Sequence, residues 1–257
     1  MIKSLNEFDS TKIRSVVQGQ LNLSENEKCV FALYLRVAGN ISSVIKLSDV
    51  KDFQAVIALS RMILELAVDV KLIADGSIEN GVEKALGFHD IQRLRAAHRA
   101  IDLEKAYPDS DASPQRKWVL DNKTRVDAKH EELWGRDARG RLKQMNHWSG
   151  LDFTKRVQTA GGDFKRWHGE SYISNNWHVH SGLAGFLNMR TKFFAISQAR
   201  ACAVIANCYR EVLSLVIQQF ELGKGDEDIA RHLDLAYKLP WTDSEEQAIQ
   251  LGRELLG

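Results

Sequence analysis

Only three prolines punctuate the 257 residues. Proline removes a backbone donor and clashes inside a helix, so their scarcity leaves room for long uninterrupted helices. Cysteine is as scarce: Cys29, Cys202 and Cys208, an odd number with no Cys-x-x-Cys pair. That argues against a disulfide framework and a cysteine-ligated zinc, and a reducing compartment is the simple expectation. The chain also lacks Gly-x-Gly-x-x-Gly, the phosphate-cradling Gly-x4-Gly-Lys-Ser/Thr, the zinc pair His-Glu-x-x-His and the Gly-x-Ser-x-Gly nucleophile elbow. No cofactor and no metal is therefore expected. No uninterrupted apolar run approaches ~18 residues, and the opening residues Met1 to Ser10 hold no apolar leader segment. The expectation is a cytoplasmic protein without a membrane partner.

What is present is mostly helix signal. Ser24-Glu25-Asn26-Glu27 has the spacing of a capping box, followed by apolar residues at i, i+3, i+4 and i+7 to about Lys46. A second helix is expected from about Val50 to Ala74. It is apolar almost all round, which places it at the centre of the fold. A third spans about Glu79 to Tyr107 with a kink expected at Gly87, and a fourth runs from Pro114 to Trp134. A short helix over about 151–159 ends at Gly161-Gly162, another covers Asp163 to His180, and a long one spans Thr191 to Leu222. Thr242-Asp243-Ser244-Glu245 marks a last capping box, with Trp241 placed for a hydrophobic staple. No strand pattern and no repeat is visible. The expected architecture is an all-α multi-helix bundle: a main domain over 1–222 with an N-terminal arm over 1–23, and a short helical extension over 223–257 packed on the same domain.

Charge is nearly balanced overall at +1 but unevenly spread. Residues 113–170 hold 13 Lys/Arg against 8 Asp/Glu, and residues 221–257 hold 4 against 9. The Gly/Arg-rich stretch Arg136–Lys143 lacks any apolar period and reads as a mobile or binding loop that suits RNA or a nucleotide. The ordinary alternative is a pair of solvated, oppositely charged faces.

Four of the eight histidines (His147, His168, His178, His180) fall between His147 and Gly182. His178 and His180, two residues apart on a helix, point to nearly opposite sides and do not chelate one metal together. Ser174 and Asn176 lie one turn beneath them, placed to fix a ring tautomer. On the apolar second helix, Arg61, Glu65 and Asp69 recur every four residues and share a face. Charges there must be paired or solvated, so the stripe is either the polar lining of a cleft or an ion pair joining helices.

Arg61 with Glu65, the Trp148-Ser149-Gly150 turn, and Tyr172 followed by Ser174, Asn176, Val179, His180 and Ser181 together resemble a bacterial, all-helical domain family of unknown function. That family lies near the HEPN superfamily (higher eukaryotes and prokaryotes nucleotide-binding). The resemblance covers about Cys29 to Leu222. It implies a HEPN-like core and a homodimer. It also implies a site at His180, His178, Arg61 and Glu65 that performs metal-independent RNA cleavage in a defence or stress system. Such ribonucleases carry Arg-x(4–6)-His, for which this chain has Arg93/His98, Arg125/His130 and Arg141/His147. Here Arg93 and Arg125 are followed by the apolar Leu94 and Val126 instead of a polar residue. Two functions are thus expected in alternative: a ribonuclease or nucleotide-acting protein, with His as general acid or base and Arg on the phosphorane oxygens; or a non-catalytic ligand- or partner-binding module whose Arg/Glu/His cluster is structural.

Overall fold

The computed structural model describes residues 2–20, 22–47, 52–172 and 191–222. The described chain is all-α. In order come α1 (Ile2–Phe8), a π-helical turn (Asp9–Ile13), α2 (Arg14–Gln18), α3 (Glu25–Lys46), α4 (Phe53–Ala74), α5 (Gly81–Ala106), α6 (Ser113–Trp134), α7 (Phe153–Ala160), α8 (Gly162–Trp167), a second π turn (His168–Tyr172) and α9 (Thr191–Gln219). The single β-type pairing among the described residues is an isolated antiparallel bridge between Arg136 and Leu142. Two compact units form, one from Met1–Asp75 with Phe153–Gly257, the other from Gly76–Asp152. No composition shift at either junction marks that division in the sequence. The expected extension over 223–257, with its capping box, lies outside the described residues.

The first unit is built round α4. Its apolar residues occupy every side, and Val56, Ile57, Ile63, Leu64, Ala67, Val68, Val70 and Leu72 are at most 1% exposed. It packs against α3 and α9 along most of its length and against α7. The capping box at Ser24 forms as its spacing predicts: Glu27 N–H donates to Ser24 Oγ at 3.2 Å, and Ser24 N–H donates back to Glu27 Oε2 at 2.7 Å. The expected N-terminal arm is part of this core. Leu5, Phe8, Ile13 and Val17 are buried, and α1 packs on α3 and α9. By length and mean hydropathy, α3 and the Ile196–Gln219 part of α9 would each be able to cross a bilayer, although polar and charged residues interrupt the apolar runs of both. In the bundle their apolar sides lie against α4.

The second unit is a hairpin of α5 and α6, closed by the return loop that follows. Two ion pairs cross the antiparallel hairpin: Glu104 with Arg116 near the turn, and Arg125 Nη1 with Asp90 Oδ2 at 2.9 Å farther along. Ile91, Leu94 and Val126 form its small core, with Trp118, Val119 and Trp134 packed at the edge. Helix α5 runs through Gly87 without the expected break. A Cβ at Gly87 would stand 2.8 Å from Leu133 Cδ1, so glycine here lets the two helices approach closely.

Candidate functional site

Arg61, Glu65 and Asp69 lie on one face of α4, as their spacing predicts. Arg61 Nε donates to Glu65 Oε1 at 3.0 Å, an i,i+4 pair within the helix. Tyr172, the last residue of the second π turn, donates its hydroxyl to the same Oε1 at 3.0 Å. One turn along, Arg156 reaches over from α7 and donates Nη1 to Asp69 Oδ1 at 2.8 Å, while its Nη2 stands 3.9 Å from Glu65 Oε2. Exposure grades along the stripe. The Arg156 and Asp69 side chains keep 6% and 10%, whereas Arg61 and Glu65 keep 21% and 32%. The Asp69 end is core and the Arg61 end reaches the surface.

An aromatic layer backs these charges. The Phe153 and Tyr172 rings meet with centroids 4.5 Å apart, and His168 stacks on Tyr172 at 5.0 Å and stands edge-on to Phe153 at 5.5 Å. The Arg61 guanidinium lies 4.7 Å from the Tyr172 centroid and that of Arg156 lies 4.9 Å from the Phe153 centroid. Each arginine is therefore held twice, by a carboxylate and by a ring face. Burial, reinforced by the Glu65 charge and hydrogen bond, pushes the Tyr172 phenol up to about 12. Burial alone holds the His168 imidazole below its usual range. At neutral pH the tyrosine thus keeps its proton, and the histidine is neutral.

Of the expected site residues, Arg61 and Glu65 are together and hydrogen-bonded. His178 and His180 lie outside the described residues, as do Ser174 and Asn176. The helix expected from Asp163 to His180 begins as α8 and passes at His168 into the π turn, which carries His168 and Tyr172 onto the stripe. Sequence reading missed Arg156, Phe153 and His168 as members of this cluster. A signal for Arg156 existed: an aspartate at position 69 inside a near-uniformly apolar helix demands a cation from elsewhere.

The three Arg-x(4–6)-His pairs do not form comparable sites. Arg93 stacks on Trp118 at 4.6 Å while His98 is exposed. Arg125 pairs with Asp90, and the buried His130 donates Nε2–H to the Lys143 carbonyl at 2.8 Å. Arg141 pairs with Asp137, and His147 Nδ1 accepts from Ser149 Oγ at 2.9 Å inside the Trp148-Ser149-Gly150 turn.

The stretch Arg136–Lys143, expected as a mobile or binding loop, forms a turn fastened by its own hydrogen bonds. Asp137 Oδ1 accepts the backbone N–H of Arg139 and of Arg141 at 2.9 and 3.0 Å. Arg136 forms a bidentate pair with Glu131, both bonds 2.7 Å, and donates to the Gly140 carbonyl. Beyond it, Arg95 donates to the Met145 carbonyl at 2.8 Å and Trp134 to the Trp148 carbonyl at 3.2 Å. Two of the turn's three arginines are thus paired with carboxylates of the same unit.

Among the described residues no group of three His, Cys, Asp or Glu side chains converges in a metal-ligating arrangement. No protein-family model, no curated protein and no solved structure matches the chain.

Proposed function

We propose that the protein is a non-catalytic helical binding module and that the Arg61–Glu65–Asp69–Arg156 cluster is its structural polar core. The observation that carries this reading is charge balance with bonding. Two guanidiniums and two carboxylates face one another, Asp69 takes Arg156, and both Arg61 and Tyr172 converge on one oxygen of Glu65. A site that stabilises developing negative charge keeps its cations aimed at the reacting group. Here both arginines are committed to carboxylates and ring faces. The test is to incubate the protein with single-stranded and structured RNAs in EDTA and to melt the Arg61→Ala and Glu65→Gln variants in parallel. This reading expects intact RNA and altered melting.

One observation favours the other reading, metal-independent RNA cleavage. His168 is neutral, borders the open end of the stripe through its stack on Tyr172, and sits on the same ring as Arg61. A neutral imidazole near a guanidinium is the pairing that would deprotonate a ribose hydroxyl and stabilise a phosphorane. RNA cleavage in EDTA that is lost in His168→Gln and in the paired variant His178→Ala with His180→Ala would establish it.

A further inference from the structure

The most completely enclosed charged group in the described chain is Asp9, at 0% exposure. It lies in the first π turn, between two short helices. The extra residue of a π turn changes the helical phase. Here it brings Phe8, Asp9 and Ile13 all to the buried side. Three donors meet the carboxylate. Tyr209 of α9 donates to Oδ2 at 2.6 Å, Tyr34 of α3 donates to Oδ1, and Arg14 of α2 closes the set on Oδ2. Both phenols are pushed upward by burial and by the adjacent Asp9 charge, so both remain donors across the ordinary pH range. The residues around this carboxylate come from one end of the chain and from two long helices, 25 and 200 residues away in sequence.

The segment that carries Asp9 is thin. Residues 2–18 form one continuous helical run of seven α, five π and five α residues, near the length at which an isolated helix is marginal in water. Its apolar anchors are Leu5, Phe8, Ile13 and Val17, while Val16 stands exposed. It packs on α3 and α9, whereas α4 also packs directly on α3 and α9. The three long helices therefore have contacts with one another that do not pass through the N-terminal segment.

We propose that residues 2–18 form a strap that undocks from the α3–α4–α9 bundle as a unit, and that Asp9 with Tyr34 and Tyr209 is the latch that sets its docked register. A hydrogen-bonded buried carboxylate contributes little net attraction, yet it strongly penalises any arrangement in which its donors are missing. An apolar strap alone would slide or dock loosely; the latch permits one register. When the strap leaves, water replaces the phenols on Asp9 and a face containing Tyr34 and Tyr209 opens between α3 and α9. Opening is local because the bundle beneath keeps its own packing.

Native-state hydrogen exchange on the full chain tests this. In the wild type, amides of residues 2–18 are expected to exchange at least about tenfold faster than the slowest amides of α4, with a weaker denaturant dependence. Tyr209→Phe and Tyr34→Phe are each expected to accelerate exchange in residues 2–18 by about tenfold, and the slowest α4 amides by about the same factor, because the latch is lost both in the strap-open state and on global opening. Exchange of residues 2–18 at the same rate as α4 in the wild type would overturn the strap, because the segment would open only with the whole unit. Unchanged exchange of residues 2–18 in both phenylalanine variants would overturn the latch. The wild-type comparison stands by itself if a variant does not fold.

Discussion

Arg156 and Asp69 lie 87 residues apart in sequence and join α7 to α4 by a 2.8 Å bond with both side chains almost fully buried. A buried ion pair gains little over a well-packed apolar pair, but loss of one partner strands the other charge in the core. Arg156→Met is therefore expected to lower unfolding free energy by roughly 3 kcal/mol in urea denaturation. The double variant Arg156→Met with Asp69→Leu is expected to recover most of that loss. A single variant as stable as wild type would show that Asp69 does not depend on Arg156.

His168 gives the acid side of the stability profile. Burial lowers its folded-state pKa, so below the unfolded value the unfolded chain binds more protons than the native one. The contribution is present above about pH 6.5 and is lost as pH falls through the folded value. Urea midpoints measured from pH 7.5 to pH 5 are expected to fall, and His168→Phe is expected to flatten that part of the curve. An unchanged slope in the variant would assign the acid sensitivity elsewhere.

Tyr172, Tyr34 and Tyr209 set the alkaline side. Their folded-state values are raised, that of Tyr172 to about 12, with burial the leading cause in each. Between about pH 10, where an unfolded phenol titrates, and the folded value, the native chain binds more protons. Stability is complete below about pH 10 and declines as pH rises through 12. Tyrosinate absorbance is expected to show a late component that coincides with loss of helical circular dichroism. Full ionisation of every tyrosine before any loss of helix would contradict the buried hydrogen bonds.

Two glycines within helices are expected to respond oppositely to alanine. At Gly39 of α3 nothing lies within 4 Å of a new Cβ, so Gly39→Ala should stabilise by about 1 kcal/mol through helix propensity. At Gly87 the new Cβ meets Leu133 at 2.8 Å, and displacement of that side chain offsets the gain. Thermal melting of the pair is the check, and an equal rise in both would contradict the close approach of α5 and α6.

Local signals made most helices legible. Ser24 with Glu27 marked the start of α3, Pro114 the start of α6, and Gly161-Gly162 the break before α8. The i,i+4 rule alone placed Arg61 beside Glu65. What stayed hidden was non-local. Nothing near Asp69 names Arg156, and nothing near Asp9 names Tyr34 or Tyr209. His168 and Tyr172 are also i,i+4 neighbours, but nothing local says that Tyr172 lies against Arg61 of α4. The hydrogen bonds that shape the Arg136–Lys143 turn come from Asp137 and Glu131 as acceptors, a role that composition does not display.

RNA cleavage in EDTA by the purified full chain tests the central claim most directly, read alongside circular dichroism of the same samples. The structural-core account predicts no turnover of single-stranded or structured RNA by the wild type, and lowered melting temperatures for Arg61→Ala and Glu65→Gln. Cleavage by the wild type that disappears in either variant, with melting unchanged, would contradict it.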